Sequence, residues 1–458
     1  MNRSLKVAAA VAALCVGLSA CGTISRLNPF GKDDGPGATA SKGERIPVLT
    51  FDQTVTPSEA LAGTDFLLPD AQAVSAWPLP GGTAEQTMEH VEAAPAFEVA
   101  WRRGVGAGSG RKTQVTAPPV AIDGRVYTMD GEATVTASDA KSGSAAWRAD
   151  LEPNEGKDRE AFGGGLAVAE GKVFVTSGFR FAAALDAATG AVLWQTRVES
   201  PIHAAPTVSG GRVYAVDVDN QVIAFNAADG SIAWSHQAIV EPARILKASS
   251  PAVSGDAVIT PFSSGELIAL RAGNGSPLWS EVLSRTSRTS ALSEIRDIAG
   301  RPAVYRGDVF AVSHSGVFAA VDLRTGRRRW DLPLSGVSSP WPAGDVVYVL
   351  SQQGELVAVN RDSGQAYWVR DLNEGRGRKK GGFAGFGGRS VEPVWTGPML
   401  ASGRLVLVND QGEAVALDPK TGAVQKTVRL GGAAYIAPIA YDGMIYVVTD
   451  KGDLVALR

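Results

Sequence analysis

Ala184-Leu185-Asp186-Ala187-Ala188-Thr189-Gly190, with Trp194 four residues on, reads as the end of a strand, a tight turn and the opening of the next strand. The Asp carboxylate can accept from amides ahead of it, and Gly supplies the positive φ that such a turn needs. The spacing returns in Ala320/Asp322/Gly326/Trp330, Ala137/Asp139/Gly143/Trp147, Ala224/Asn226/Gly230/Trp234 and Ala358/Asn360/Gly364/Trp368. Ala269/Gly275/Trp279 carries Arg271 in the acidic slot, and Ala416/Asp418/Gly422 carries Lys426 where Trp belongs. An eighth copy, Ala456-Leu457-Arg458, runs out of chain. A period of roughly 40 to 50 residues marks an array of one supersecondary unit.

Upstream of each Ala lies a Gly-x-apolar-apolar strand, from Gly124-Arg125-Val126-Tyr127 to Gly443-Met444-Ile445-Tyr446. A turn and an alternating strand follow, as in Gln353-Gly354 and Glu355-Leu356-Val357-Ala358-Val359. Short strands with turns at regular intervals and no long helical period predict four-stranded antiparallel blades. Eight of them arranged radially make an all-β, eight-bladed β-propeller spanning residues 96–458. In it Trp147, Trp194, Trp234, Trp279, Trp330 and Trp368 are expected to wedge between neighbouring blades. The last copy lacks its Trp strand, and an orphan strand, Phe97-Glu98-Val99-Ala100-Trp101, precedes blade one. It is expected to complete the last blade and close the ring, with Trp101 as the missing Trp; this removes two free edges.

Composition agrees: 53 Gly and 25 Pro in 458 residues suit turns. A net charge of −3 leaves no basic excess for a nucleic-acid partner. Arg3 and Lys6 precede the apolar run Val7 to Leu18, and Leu18-Ser19-Ala20-Cys21 matches a bacterial lipobox. Residues 1–20 are therefore expected to be a lipoprotein signal peptide and Cys21 the acylated first residue. Gly22 behind it implies export to the outer membrane, with the chain lipid-anchored on the periplasmic face. Residues 21–95 are expected to be a tether. Its start, Asn28 to Gly37, is polar and turn-rich. Phe66-Leu67-Leu68-Pro69 and Trp77-Pro78-Leu79-Pro80 carry enough apolar surface to lie along the propeller wall, and Thr83 to Val91 suits a short helix.

Over residues 97–458 the Ala-x-Asp-x-x-Thr-Gly-x-x-x-Trp repeat resembles the tryptophan-docking motif of pyrroloquinoline-quinone-type propellers. That superfamily divides into quinoprotein dehydrogenases and the non-catalytic BamB lipoproteins of outer-membrane β-barrel assembly. Lipobox, tether and total length resemble the BamB family. The resemblance implies a scaffold with no cofactor, bound to the barrel subunit BamA and other subunits of its complex and assisting unfolded β-barrel clients. The alternative, a periplasmic quinoprotein dehydrogenase-like protein, implies an ion held by Glu, Asn and Asp, and often a vicinal cysteine pair. No cysteine follows Cys21, and Glu266, Asp410 and Asp450 read as solvated turn carboxylates. His90, His203, His236 and His314 lack zinc spacing. Gly163-Gly164-Gly165 lacks the Gly-Lys-Ser/Thr of a phosphate loop, and no Ser, His and Asp set forms a triad. A glycan-binding propeller stays open as a third reading.

Two interruptions of the repeat are candidate contact surfaces. Between Trp279 and Pro302 the connection swells and ends in Ile295-Arg296-Asp297-Ile298, apolar residues beside charges. The preceding blade begins with Arg244-Ile245-Leu246-Lys247. The family resemblance implies that BamA docks on loops of these central blades, with Asp297 at a matching acidic position. The second interruption, from Gly375-Arg376-Gly377-Arg378-Lys379-Lys380 to Arg389, is basic and Gly-rich. It reads either as a solvated loop or as a site for anionic lipid headgroups.

Overall fold

The structure is a computed structural model that describes residues 54–151, 162–242, 244–245, 249–284, 295–376, 378–379 and 390–458, with backbone alone at 378–379 and 390–391. Cys21, Leu246, Lys247 and most of the basic stretch from 377 to 389 lie outside the described residues. Apart from a single turn at Glu59–Leu61, no helix occurs among the described residues.

The repeat folds into eight blades. Blade one runs Val120–Ile122, Arg125–Met129, Thr134–Asp139 and Ala145–Asp150, each strand antiparallel to the one before. The middle strands are almost wholly buried, whereas the Trp strand alternates exposed and half-buried positions at the rim. Blades two to seven repeat this order, from Gly164–Ala169 to Val424–Arg429. Blade eight has Ile439–Tyr441, Met444–Val448 and Asp453–Leu457, and takes its outermost strand, Val99–Gly104, from the other end of the fold. Trp101 lies opposite Ala456, so the expected closure is what the sheet shows.

The register explains the motif. In each complete blade the motif Ala is the cross-strand partner of its Trp, as in Ala184↔Trp194 and Ala358↔Trp368, and a bulge follows it at once. Every one of these Ala residues is buried, so a larger side chain there would displace the ring. Except in blade four, where Ile259 stands opposite the motif Ala, the indole packs on an aromatic of its own blade, for example Tyr127 and Trp147 with centroids 5.9 Å apart. Its far side covers the turn of the next blade. A methyl added at Gly190 would sit 2.6 Å from Trp147, and one at Gly364 would sit 2.7 Å from Trp330, so only Gly admits the ring. Trp147 Nε1 donates to Ala187 O at 3.0 Å, Trp234 to Ala272 O at 2.9 Å and Trp330 to Arg361 O at 2.8 Å. Trp101 and Trp368 make the same ring contact, on Gly143 and Gly422, with Nε1 unpartnered. The turn is held as expected: Asp186 Oδ1 accepts from Thr189 N at 2.8 Å and from its hydroxyl at 2.7 Å. Where Arg271 fills the acidic slot, Asn274 takes over and accepts from Ser276.

Lys426 is the one exception to the Trp rule, and ring closure accounts for it. Its strand faces blade eight, where Arg458, just after the third strand, is joined to Glu98 by backbone hydrogen bonds and not by an Asp-x-x-Thr-Gly turn. No Gly turn is there to receive an indole. Lys426 Nζ instead donates to Ala96 O at 2.9 Å and pairs with Glu98 at 3.4 Å.

The segment ahead of the first Trp strand takes a course the sequence does not reveal. Phe66 does lie against the wall, 4.5 Å from the Tyr367 ring, but Trp77 does not. Residues 74–94 make one lap over the inner strands. Val74 O accepts from Asp442 N in blade eight, and Trp77 pairs with Ala121 in blade one. Pro78 O reaches Val168 in blade two, Gln86 reaches Thr207 and Pro251 in blades three and four, and Glu85 O reaches Val304 in blade five. Trp341 Nε1 of blade six donates to Glu89 O, Val91 pairs with Ala401 of blade seven, and Ala93 returns to Gly443 of blade eight. His90 fixes the last arc: Gly403 N–H donates to Nε2 at 2.8 Å, so Nδ1 carries the proton given to Pro69 O at 2.7 Å. The expected helix over 83–91 is absent, because backbone groups there bond outward to successive blades and Gln86 and Glu89 hold positive φ.

Trp330→Ala should cost about 3 kcal/mol of stability, the low end of a large-to-small change because the ring is half-buried. Gly364→Ala, on the other side of the same contact, should cost roughly 1–3 kcal/mol through strain at its φ of +73° and collision with the indole. Lys426→Trp, which restores the repeat, should not stabilise the protein. Urea melts of the three variants test this; a stabilising Lys426→Trp would contradict the account of closure.

Candidate partner-binding site

The connections that carry the two candidate segments leave blades three and four and meet over one corner of the ring. Arg244 and Ile245 follow the outer strand of blade three, Ile232–Gln237, and Ile295, Arg296 and Asp297 follow that of blade four, Pro277–Val282. Arg244, Ile245 and Asp297 line one cleft with Asp217, Asn220, Phe262 and Ile298. Its volume of about 30 Å³ suits a water, not a ligand, so this is a junction between segments. Arg244 lies 3.6 Å from Asp219.

Asp297 departs from the expectation of a charged rim residue. It is 4 % exposed, with Oδ2 unpartnered. Asp297 O accepts from His314 N, and Ile298 N donates to Phe262 O, which ties the segment to blades four and five. Burial pushes the Asp297 carboxyl up to about 7, against the opposing pull of the Ile245 amide and the Arg244 charge. Asp217 rises to about 6, again chiefly by burial. His203, beside them, falls to about 4 through burial and then Arg244. The alternation of apolar and charged residues in Ile295-Arg296-Asp297-Ile298 comes from a buried apolar anchor, Ile298, next to an acid drawn in with it.

Sequence reasoning passed over two residues in the same connection. Ile239 and Val240 are 60 % and 54 % exposed, among the most exposed large apolar side chains described. Asn220 Nδ2, from the cleft, donates to Ile239 O at 2.5 Å. Together with half-buried Ile245, Ile295 and Arg296 they give this corner apolar surface flanked by Arg and Asp. The signal was present in Ala238-Ile239-Val240, an apolar run after a Trp strand where other blades turn polar.

Of the other candidates, Glu266 accepts from the Ser264 hydroxyl and Asp410 from Val394 N, both as turn braces. Arg376 pairs with Glu413 at 2.8 Å and lies over the Trp395 ring. Down the axis runs a cavity of about 620 Å³, roofed by Trp77, Pro80, Gly81 and Gln86 of the encircling segment. Asp450 is the one carboxylate in its lining. Among the described residues no group of three or more His, Cys, Asp or Glu could hold a metal ion. Among the described residues the cavity lining supplies one carboxylate, Asp450, where the quinoprotein alternative calls for Glu, Asn and Asp around an ion.

A ring of eight W-shaped blades docked by Trp on Gly places the chain in the class of quinone-type eight-bladed propellers. Within that class, the family model "Outer membrane protein assembly factor BamB" matches residues 131–370 and 369–458, most of the ring, and the chain belongs to this family. It is 25 % identical over 363 residues to the outer membrane protein assembly factor BamB of Escherichia coli K12, covering 78 % of this chain and 88 % of that protein. It is 22 % identical over 343 residues to that of Moranella endobia, covering 74 % and 84 %. Among solved structures, BamB from Moraxella catarrhalis aligns with a TM-score of 0.62 at 19 % identity, covering 78 % of this chain and 99 % of that one. A europium-containing methanol dehydrogenase aligns with a TM-score of 0.64 at 15 % identity, covering 81 % and 89 %, so the shape is common to both branches. The chain is an outer-membrane assembly factor by family.

Because the folded state holds Asp297 protonated to higher pH than the unfolded chain, its contribution to stability is complete below about pH 4 and is lost as pH rises through about 7. His203 runs the other way, losing stability as pH falls from about 6.5 towards 4, and Asp217 runs with Asp297, losing stability as pH rises through about 6, so the wild-type profile mixes all three. The difference between Asp297→Asn and wild type isolates the acid. The variant should gain relative stability steadily from pH 5 to pH 8, by roughly 2 kcal/mol in all. Urea melts across that range check it, and a flat difference would place Asp297 in a solvated setting.

Proposed function

We propose that the chain is a non-catalytic scaffold of the outer-membrane β-barrel assembly complex, which docks on a BamA-type barrel subunit through the corner formed by Ile239, Val240, Arg244, Ile245, Ile295 and Arg296. The observation that carries this reading is the convergence of two connections from adjacent blades on one cleft, beside the exposed Ile239 and Val240, in a chain of the BamB family. Ile239 and Val240 are the apolar anchors, and Arg244 and Arg296 form the rim that orients the partner. Asp297 acts from below, bracing the Ile245 backbone. Leu246 and Lys247 belong to the same connection. The chain is held at the periplasmic face of the outer membrane by lipid on Cys21. No helix among the described residues is long and apolar enough to cross a membrane. Unfolded barrel clients are held against the platform formed by the ring and its partner subunit. Membership of the BamB family supports a scaffold over a quinoprotein dehydrogenase.

Ile239→Glu with Val240→Glu should weaken capture of the BamA-type subunit at least tenfold while leaving the melting temperature unchanged, since both side chains already face water. Arg244→Glu with Arg296→Glu should slow association and remove much of its salt dependence. Surface plasmon resonance and thermal melts on the same preparations decide it: undiminished affinity in the Ile239/Val240 variant would move the interface elsewhere. Separately, Cys21→Ser should release the protein from the membrane fraction.

A further inference from the structure

The outer strand is the free edge of every blade, and the eight edges can be compared position by position from the Trp. Seven of them carry at least one charged side chain, from Arg148 in blade one and Arg197 in blade two to Arg102 in blade eight. Such charges blunt an edge, whose unpaired backbone groups otherwise invite another chain. Blade three is the exception. Its outer strand, Ile232-Ala233-Trp234-Ser235-His236-Gln237, runs on into Ala238-Ile239-Val240 without one Asp, Glu, Lys or Arg. Burial draws the His236 pKa below its ordinary value, so the imidazole is neutral as well.

Blade six shows what such an edge accepts. Pro57 bridges Ala366 in parallel, Ser58 N–H donates to Ala366 O at 2.9 Å, and Phe66 from the same segment lies on Tyr367. Under this cover Ala366 is 3 % exposed. It stands two residues ahead of Trp368, opposite the residue that follows the bulge, and Ile232 holds that position ahead of Trp234. Ile232 is 53 % exposed. Farther along the same strand, Ala238 N–H turns inward to Asn220 O at 3.0 Å, so strand alternation turns the Gln237 and Ser235 amides outward. Neither amide meets an acceptor among the described residues.

We propose that the edge of blade three from Ile232 to Gln237 takes up an extended strand of the partner subunit that docks on the corner, so that the partner's own sheet edge lengthens this blade outward. Continuity names the occupant: Ile239 and Val240, the apolar anchors of the docking reading, follow Gln237 directly, so a strand lying along 232–237 belongs to whatever covers them. The inference rests on that reading and specifies how the docking is made. Outward backbone groups of Ser235 and Gln237 supply the hydrogen bonds, and Ile232 at one end and Ile239 at the other fix the register through apolar side chains. The other seven edges, charged or covered, refuse the same strand, which confines the partner to one blade of eight.

The test uses the full chain and a detergent-solubilised BamA-type subunit, with surface plasmon resonance for capture and hydrogen exchange read at the amides of Ser235 and Gln237. Both amides should exchange fast in the free chain and at least tenfold more slowly in the complex. Ser235→Pro removes an outward N–H and leaves the ladder to the neighbouring strand intact, and it should weaken capture at least tenfold. Gln195→Pro, the same position in blade two, should leave capture unchanged. Capture lost in Ile239→Glu with Val240→Glu but kept in Ser235→Pro would leave the corner as the interface and overturn the strand pairing. Capture kept in both would remove the docking reading and this inference with it. If Ser235→Pro fails to fold, exchange in the wild-type complex decides, and unprotected amides there overturn the proposal. Protection by an unfolded barrel protein and not by the subunit would assign the edge to clients and overturn it too.

Discussion

The contact between an indole of one blade and the Gly turn of the next governs this fold. Each docked Trp is placed by its own blade, opposite a buried Ala, and is finished by its neighbour, which supplies a Cβ-free turn and, for all but Trp101 and Trp368, a carbonyl for Nε1. No blade can satisfy its own Trp. A blade is a small four-stranded sheet that would be marginal alone, so the contact turns eight such sheets into one cooperative ring. The same logic sets where the sequence can vary. Positions on the strand faces accept Val, Ile, Leu or Phe as packing requires, whereas Ala, Gly and Trp are constrained by a single geometry shared between two blades.

That constraint is why so much of the ring is legible in the chain. The period, the blade count and the closing role of the strand at Val99–Gly104 all follow from one motif with fixed spacing. Even the irregular copies carry information once the ring is closed. Lys426 departs from the motif because the blade it faces joins two segments distant in sequence where the others have a turn, and its ammonium satisfies Ala96 O and Glu98 in place of the missing indole contact. Arg271 is tolerated because Asn274 lies close enough to brace the turn.

What was not legible lacks periodicity. Residues 74–94 touch every blade, but each contact is made by one or two residues with no spacing to recognise, and several are made by backbone groups, which carry no sequence signature. Trp77 and Phe66 looked equivalent as apolar residues in a polar stretch, yet one roofs the axis and the other lies on the wall. Asp297 misled for a related reason. A charged residue in an insertion is ordinarily solvated, but Ile298 anchors the segment between blades four and five and carries its neighbour inward. Ile239 and Val240 stand out in the sequence only as an apolar run where other blades turn polar; that the run is exposed depends on the path the chain takes after Gln237.

A closed ring also separates the two surfaces that a partner or ligand could use. Strand faces are consumed by packing between blades, and the inner edges at one mouth are covered by the encircling segment. This leaves the connections between blades free to lengthen without disturbing any Trp–Gly contact, since they start after one docked strand and end before the next inner strand. The exposed corner after blades three and four is such a lengthening. It also leaves the side chains that line the axial cavity. Change at either place alters what the molecule can bind while the ring stays as it is, which is how one architecture accommodates both dehydrogenases and assembly factors.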